Sequence, residues 1–233
     1  MKSDLPKVLH QLNGKPLIEY VVETAKQSGA DEVVAIVGHK RELVMEQLAG
    51  SVKFAVQAEQ LGTGHAVQQA EPMLRDSEGE TLILSGDVPL LRAGTIRDLR
   101  ELHHQQGNSC TLVSCIFQDP TGYGRVVRSN AGSVLAIVEH KDATPEIREI
   151  KEINSGIYLV NTGLLFEALN DVKNDNAQGE YYLTDIVGWM VERGYRVGGL
   201  VVEDELEIAG VNSREELQRL ESEYLNRNTG PSN

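Results

Sequence analysis

Four short apolar runs, separated by stretches of helical periodicity, constrain this chain more than any other feature. Residues 32–37 (Glu-Val-Val-Ala-Ile-Val), 52–56, 81–85 and 109–117 are rich in β-branched and aliphatic side chains. Runs of that kind read as strands buried on both faces, the pattern of a parallel sheet. Between them, residues 16–27 put Leu17, Ile18, Val21, Val22 and Ala25 on one helical face, with Gly29 as the stop. Residues 40–48, 64–74 and 95–105 also read as helix. This alternation predicts an α/β protein with a right-handed, doubly wound, mostly parallel sheet of Rossmann-like form. The pattern changes after Asp119. Residues 124–128 and 133–139 flank Ser129-Asn130-Ala131-Gly132, a hairpin turn; 152–160 reads as strand, 181–193 as helix, and 196–202 as a return to the sheet. This half is expected to be a β-rich insertion that caps the sheet and forms the second wall of a cleft. Ser213-Arg214-Glu215-Glu216 is a capping box that opens a helix with Leu217, Leu220 and Tyr224 on one side. Residues 226–233, polar with Gly and Pro, read as a frayed tail.

Charge and cysteine usage narrow the class. A formal charge of −13 argues against nucleic acid or an anionic membrane as partner, yet a few lysines and a metal ion still suffice for a phosphorylated substrate. No run approaches the roughly 18 apolar residues of a membrane-spanning helix, and no apolar signal region opens the chain. Cys110 and Cys115 lie five apart in one strand-like run, so they are expected on opposite faces and unbridged. A reduced, cytoplasmic protein is the expectation.

Two segments point to nucleotide chemistry. Gln57-Ala58-Glu59-Gln60-Leu61-Gly62-Thr63-Gly64-His65-Ala66 is a polar, glycine-bearing loop running into a helix. Leu82-Ile83-Leu84-Ser85-Gly86-Asp87-Val88-Pro89-Leu90 is an apolar strand that ends on a carboxylate. Open α/β sheets bind ligands at the carboxyl ends of their strands, so the two segments are expected to share a crevice. One offers amides to read a base or cradle a phosphate; the other offers a hard oxygen ligand for Mg²⁺. Each also has a plain structural reading, with Thr63 as a helix cap and Asp87 as the cap of the turn before Pro89. Lys7 on its own reads as a solvated charge beside Pro6. Glu139, Asn154 and Asn212 follow or interrupt apolar strand residues, where polar groups are commonly satisfied locally. The six histidines show no zinc-ligand spacing, and no Gly-x-Ser-x-Gly elbow is present.

The order of the motifs is more specific than any one of them. Asp4-Leu5-Pro6-Lys7-Val8-Leu9, Gln57 through Thr63, Gly86-Asp87-Val88-Pro89-Leu90, Asp119 through Arg125, Glu139-His140-Lys141-Asp142-Ala143, Glu152 through Ile157 and Gly210-Val211-Asn212 follow one another along the chain. The series resembles the uridyltransferase domain of the bacterial GlmU family, the bifunctional N-acetylglucosamine-1-phosphate uridyltransferase/glucosamine-1-phosphate acetyltransferases. The resemblance runs from Ser3 to about Tyr224. It implies a cytoplasmic enzyme of cell-wall (peptidoglycan) precursor synthesis that turns UTP and N-acetylglucosamine 1-phosphate into UDP-N-acetylglucosamine and pyrophosphate. By the same resemblance Gln57, Gln60, Gly62 and Thr63 would read the uracil, and Gly86 would line the nucleotide site. Lys7 would contact phosphate, and Asp87 and Asn212 would hold Mg²⁺, with Lys7 and Asp87 as catalytic groups. Gly124, Glu139, Asn154 and Thr184 would bind the N-acetylglucosamine part, with Tyr182 nearby. Residues 1–212 would be the nucleotidyltransferase domain and 213–233 the start of a helical arm.

The family opens with a strand and a Leu-x-x-Gly-x-Gly-Thr-Arg-Met loop, and Met1 stands where that methionine would be. The expectation is therefore a chain without the first strand and the phosphate-binding loop, through a late-assigned start or a truncation. Such a chain would have low activity and open strand edges beside the gap. Hexapeptide repeats of an acetyltransferase half are also missing, so a monomer or weak dimer is expected. Three competing readings remain open at this point. They are a pyrophosphorylase for another sugar 1-phosphate, a non-catalytic sugar-nucleotide-binding protein, and a glycosyltransferase, against which the single acid of Gly86-Asp87-Val88-Pro89 counts.

Overall fold

The computed structural model describes residues 5–229; Asp4 of the first motif and residues 230–233 of the tail lie outside them. A 3₁₀ turn at Lys7–Leu9 leads into a small hairpin of β1 (Gln11–Leu12) and β2 (Lys15–Pro16). Asn13 and Gly14 make its turn at positive φ. Helix α1 (Leu17–Gln27) buries Leu17, Val21, Val22 and Ala25, the face its spacing predicts. Strand β3 (Val34–Val37), helix α2 (Arg41–Gln47) and strand β4 (Lys53–Val56) form a right-going βαβ unit, with β3 and β4 parallel. Helices α3 (Thr63–Gln68) and α4 (Glu71–Leu74), strand β5 (Glu80–Ile83), helix α5 (Ala93–Gln106) and strand β6 (Cys110–Ile116) complete the first half. The second half contains β7 (Arg125–Arg128), β8 (Val134–Val138), α6 (Pro145–Arg148), β9 (Glu152–Asn161), α7 (Thr162–Asp171), α8 (Asp185–Glu192) and β10 (Val197–Val202). A 3₁₀ turn at Glu205–Ile208 and helix α9 (Arg214–Thr229) end the described chain.

The central sheet is mixed and mostly parallel, ordered β10-β6-β9-β7-β8, with β5 also paired to β9. From the pairings, β5, β6, β7 and β10 run one way and β8 and β9 run against them. Strand β9 thus sits in the middle of the sheet. The second half, expected to cap the sheet and supply a cleft wall, also contributes this central strand, and one edge of the ten-residue β9 serves two neighbours. Its later half pairs with β5 (Ile83 opposite Tyr158), and its first residues pair with β7 (Ile153 opposite Arg125). The handover falls at Gly156, whose φ of +78° no side-chain-bearing residue takes easily. Strands β5 and β7 therefore diverge from one edge of β9, and the space between them is a crevice at the carboxyl end of β5.

Among the described residues, β3 pairs only with β4, and β5 only with β9. The β3–β4 pair thus forms a sheet separate from the central one. The core divides at the same place. One cluster (Leu9, Val22, Val37, Val44, Leu48) joins α1, α2 and the β3–β4 pair. Two larger clusters fill the opposite faces of the central sheet, and they separate the cysteines as expected. Cys110 packs with Leu112, Val160 and Met190 on one face, and Cys115 with Val113, Ile153 and Leu99 on the other. Both thiols are free, and burial pushes that of Cys110 up to about 12.

Several boundaries differ from the sequence reading for physical reasons. The helix expected over 64–74 is two pieces, because Pro72 sits in the first turn of α4 and supplies no amide to continue α3. The helix expected from 181 starts at Asp185, since the Tyr181 backbone is committed elsewhere: its N–H donates to Leu61 O (2.8 Å) and its carbonyl accepts from Gly64 N (2.8 Å). Helix α9 continues to Thr229, past the expected fraying point. Helix α7, whose first free amide bonds the Asn161 side chain, was not foreseen. Among the described residues no helix is long and apolar enough to cross a membrane.

Candidate active site

The residues named from the sequence fall into three groups of contacts. The first is built by loops that hold one another. Val211 N–H donates to Asp87 O (3.0 Å), so the turn after β5 is tied to the segment before α9. Asn212 N–H donates to Glu216 Oε2 (2.6 Å), and Ser213 and Glu216 exchange the reciprocal bonds of a capping box. Gly210 is needed for this approach, because a Cβ there would stand 3.3 Å from Asp87 Oδ2. Onto this frame Lys7 Nζ donates to Asp87 Oδ2 (2.6 Å) and to Asn212 Oδ1 (2.9 Å). Lys7, Asp87 and Asn212, far apart in the chain, are brought to one point as the resemblance implies. Gly86 beside them is tightly packed: a Cβ would meet Ile18 Cδ1 at 2.8 Å.

The second group is the loop of residues 57–63. Gln57 is buried, and its amide donates to Gly62 O (3.0 Å) and meets His65 Nδ1 (3.1 Å). Gln60 Nε2 lies over Gly38, where a Cβ would come within 2.9 Å of it. Gly62, at φ +114°, has no room for a side chain, since a Cβ would fall 2.5 Å from Tyr181 O. Thr63 does not cap α3. Gly62 holds that position, and Thr63 Oγ1 accepts the N–H of Leu183 (3.0 Å). That bond takes the place of the capping role read from the sequence.

The third group comprises Gly124, Glu139, Asn154 and Thr184. Gly124 O accepts the Asn154 N–H (2.9 Å), and a Cβ on Gly124 would stand 3.4 Å from both carboxylate oxygens of Glu139. Thr184 Oγ1 donates to Glu139 Oε1 (3.3 Å). Burial, with Asp142 and Asp185 adding to it and Thr184 opposing it, raises the Glu139 carboxyl above its ordinary range. The Asn154 side-chain carbonyl accepts the Gly156 N–H (3.2 Å). Tyr182 donates to Asp142 Oδ2 (3.2 Å) and accepts from Gln178 (2.9 Å), so it supports the floor beside this group. The sequence reading missed Gly38, Asp142, Gly156, Glu216 and the Tyr181 and Leu183 backbone. Gly156 inside an apolar strand was a legible sign of a bulge. The pairing of residue 63 with residue 183 left no local signal.

Chemically, the three groups offer two hard oxygens and an ammonium at Asp87, Asn212 and Lys7, amides and carbonyls of the 57–63 loop, and a carboxyl with hydroxyl and amide groups at Glu139, Thr184 and Asn154. Among the described residues no set of three or more His, Cys, Asp or Glu side chains could hold a metal ion by itself. Asp87 and Asn212 offer one carboxylate and one carbonyl oxygen, and the Lys7 ammonium bridging them shows that both can face one cation. Such a donor pair suits Mg²⁺, which keeps several waters and takes its other ligands from phosphates.

The chain belongs to the nucleotidyl transferase family, whose model matches residues 2–207. It is 52% identical over 221 residues to the bifunctional protein GlmU of Caldanaerobacter subterraneus subsp. tengcongensis, covering 95% of this chain and 48% of the relative. It is 50% identical to the bifunctional protein GlmU of Acetivibrio thermocellus, over 93% of this chain and 47% of the relative. The chain thus spans about half the length of the curated relatives it matches. The structure of a UDP-glucose pyrophosphorylase complexed with UDP-glucose shares the fold, with a TM-score of 0.73 over 96% of this chain and 91% of that one at 18% identity.

Proposed function

We propose that this chain carries a uridyltransferase site, which joins UTP and N-acetylglucosamine 1-phosphate into UDP-N-acetylglucosamine and releases pyrophosphate. The observation that carries the reading is the convergence of Lys7, Asp87 and Asn212 between the 57–63 loop and the Gly124–Glu139–Asn154–Thr184 group. The likeness to proteins named GlmU supports it, as does a fold relative solved with a UDP-sugar.

On this reading Gln57, Gln60, Gly62 and Thr63 hold the uracil, with Gly86 along the nucleotide. Asn154, Glu139, Thr184 and the Gly124 backbone hold the sugar hydroxyls and acetamido group, and Tyr182 backs them. Asp87 and Asn212 would hold Mg²⁺, which would supply charge neutralisation at the triphosphate. An oxygen of the sugar phosphate attacks the α-phosphorus in line. A new P–O bond forms, the bond to the β-phosphate oxygen breaks, and pyrophosphate leaves with the electron pair. No protein nucleophile is needed; the residues position two anions and offset their charge. Lys7 supplies a cation to the reacting phosphates. Residues 1–212 would form the transferase domain and 213–233 would begin an arm, in a cytoplasmic setting.

The test is pyrophosphate release from UTP, N-acetylglucosamine 1-phosphate and Mg²⁺, on this chain and on one extended upstream by the family's glycine-rich loop. Release by either, with glucose 1-phosphate and N-acetylgalactosamine 1-phosphate turned over more slowly, supports the assignment. Binding of UDP-N-acetylglucosamine by both without release from either replaces it with a sugar-nucleotide-binding role.

A further inference from the structure

Lys7 stands where it opposes one part of the proposed site and serves another. Its ammonium bridges Asp87 Oδ2 and Asn212 Oδ1 at 2.6 and 2.9 Å, the same two oxygens that a divalent cation would need. A metal ion 2.0–2.1 Å from those oxygens and an ammonium bridging both of them exclude each other by contact and by charge. The backbones that carry these oxygens are held independently of Lys7. Asp87 is tied through its carbonyl to Val211, and Asn212 through its amide to Glu216. Lys7 itself is free to leave. It projects from a three-residue 3₁₀ turn without a side-chain cap, its side chain is 40% exposed, and a lysine stem is flexible.

We propose that Lys7 is an internal counter-ion that closes the metal site until a divalent cation displaces it, so that metal entry and the release of Lys7 toward phosphate are one event. This rests on the metal reading of Asp87 and Asn212 given above. The purpose is coupling. With the site empty, the lysine neutralises Asp87; with the ion bound, the same charge is delivered to the incoming triphosphate. Binding of metal and of nucleotide should then be cooperative through a single side chain.

The experiment is a titration with Mn²⁺ followed by electron paramagnetic resonance of the free ion, without nucleotide, on the wild-type chain and on Lys7→Met, Lys7→Arg and Asp87→Asn. Displacing a bound lysine lowers the fraction of competent sites, so Lys7→Met is expected to bind Mn²⁺ roughly tenfold more tightly than wild type. Lys7→Arg, which keeps the charge, should stay near wild type, and Asp87→Asn should lose the site. Melting curves give a second readout. Lys7→Met should melt lower than wild type without metal and gain more from added Mg²⁺, because the ion takes over as partner of Asp87. Equal or weaker Mn²⁺ binding by Lys7→Met, with Asp87→Asn still abolishing it, would overturn the counter-ion role while sparing the metal site. Mn²⁺ binding by none of the proteins, or binding untouched in Asp87→Asn, would overturn the metal reading and this inference together.

Discussion

On the side of the cleft that carries residues 57–63, β3 and β4 pair only with each other among the described residues. Val34 and Ala35 are half-buried there, and Ile36 is 37% exposed. On the side that carries Gly124, Glu139 and Asn154, β6 lies between β10 and β9 and is buried from Cys110 through Cys115. The two strands are similar in apolar character, so their sequences ask for similar burial. What differs is the number of neighbours that deliver it. The first wall draws its stability from the α1–α2 cluster and from backbone bonds to residues 181–183; the second draws it from both faces of a continuous sheet.

The contrast predicts unequal costs for equal chemistry. The largest belongs to Leu112→Ala. Leu112 is wholly buried in the central sheet, and a cavity there should cost about 3–4 kcal/mol, read as a fall in the urea midpoint that both walls share. Next comes Gly62→Ala, at the bond between the walls. A residue with a Cβ at φ +114°, 2.5 Å from Tyr181 O, should cost roughly 1–3 kcal/mol and weaken UDP-N-acetylglucosamine binding more than it lowers stability. Binding at wild-type strength by Gly62→Ala would mean that the 57–63 loop does not need its clamp.

The same contrast explains what could be read from the sequence. Helix α1, strands β3 to β6 and the 129–132 turn follow from local periodicity and turn chemistry, which single segments carry. Lys7, Asp87 and Asn212 were named through the order of motifs, and their meeting point required the fold. The central place of β9 and its change of partner at Gly156 were not legible, because pairing is decided between segments. For the same reason Thr63 read as a helix cap: the local choice was visible, and the competing Leu183 amide was 120 residues away.

Ile36→Ala sharpens the comparison from the weak side. With its side chain already 37% exposed, the loss should stay below about 1 kcal/mol. Native-state hydrogen exchange supplies the companion measurement. The amides shared by β3 and β4 should open at a free energy well below the global value, while those of β6 and β9 exchange only on global unfolding. One common opening free energy for all four strands would erase the distinction between the walls.

The smallest effect has the opposite sign. Burial, reinforced by Asp142 and Asp185 and only partly offset by the Thr184 hydroxyl, raises the Glu139 carboxyl in the folded protein. In the unfolded chain it titrates in the ordinary range. Below that range both states hold the proton and Glu139 costs nothing. As the pH rises through the window between the ordinary and the raised values, the unfolded state gives up its proton first and stability falls; above the window the loss is constant. Glu139→Gln keeps an oxygen for Thr184 and removes the charge. It should therefore melt higher than wild type at neutral pH, with the difference closing as the pH is lowered through the carboxylate range. The same variant should bind the sugar nucleotide more weakly, which would mark Glu139 as a charge kept in the stronger wall for binding at a cost in stability. A variant that melts lower than wild type at neutral pH would instead make Glu139 a structural partner of Thr184.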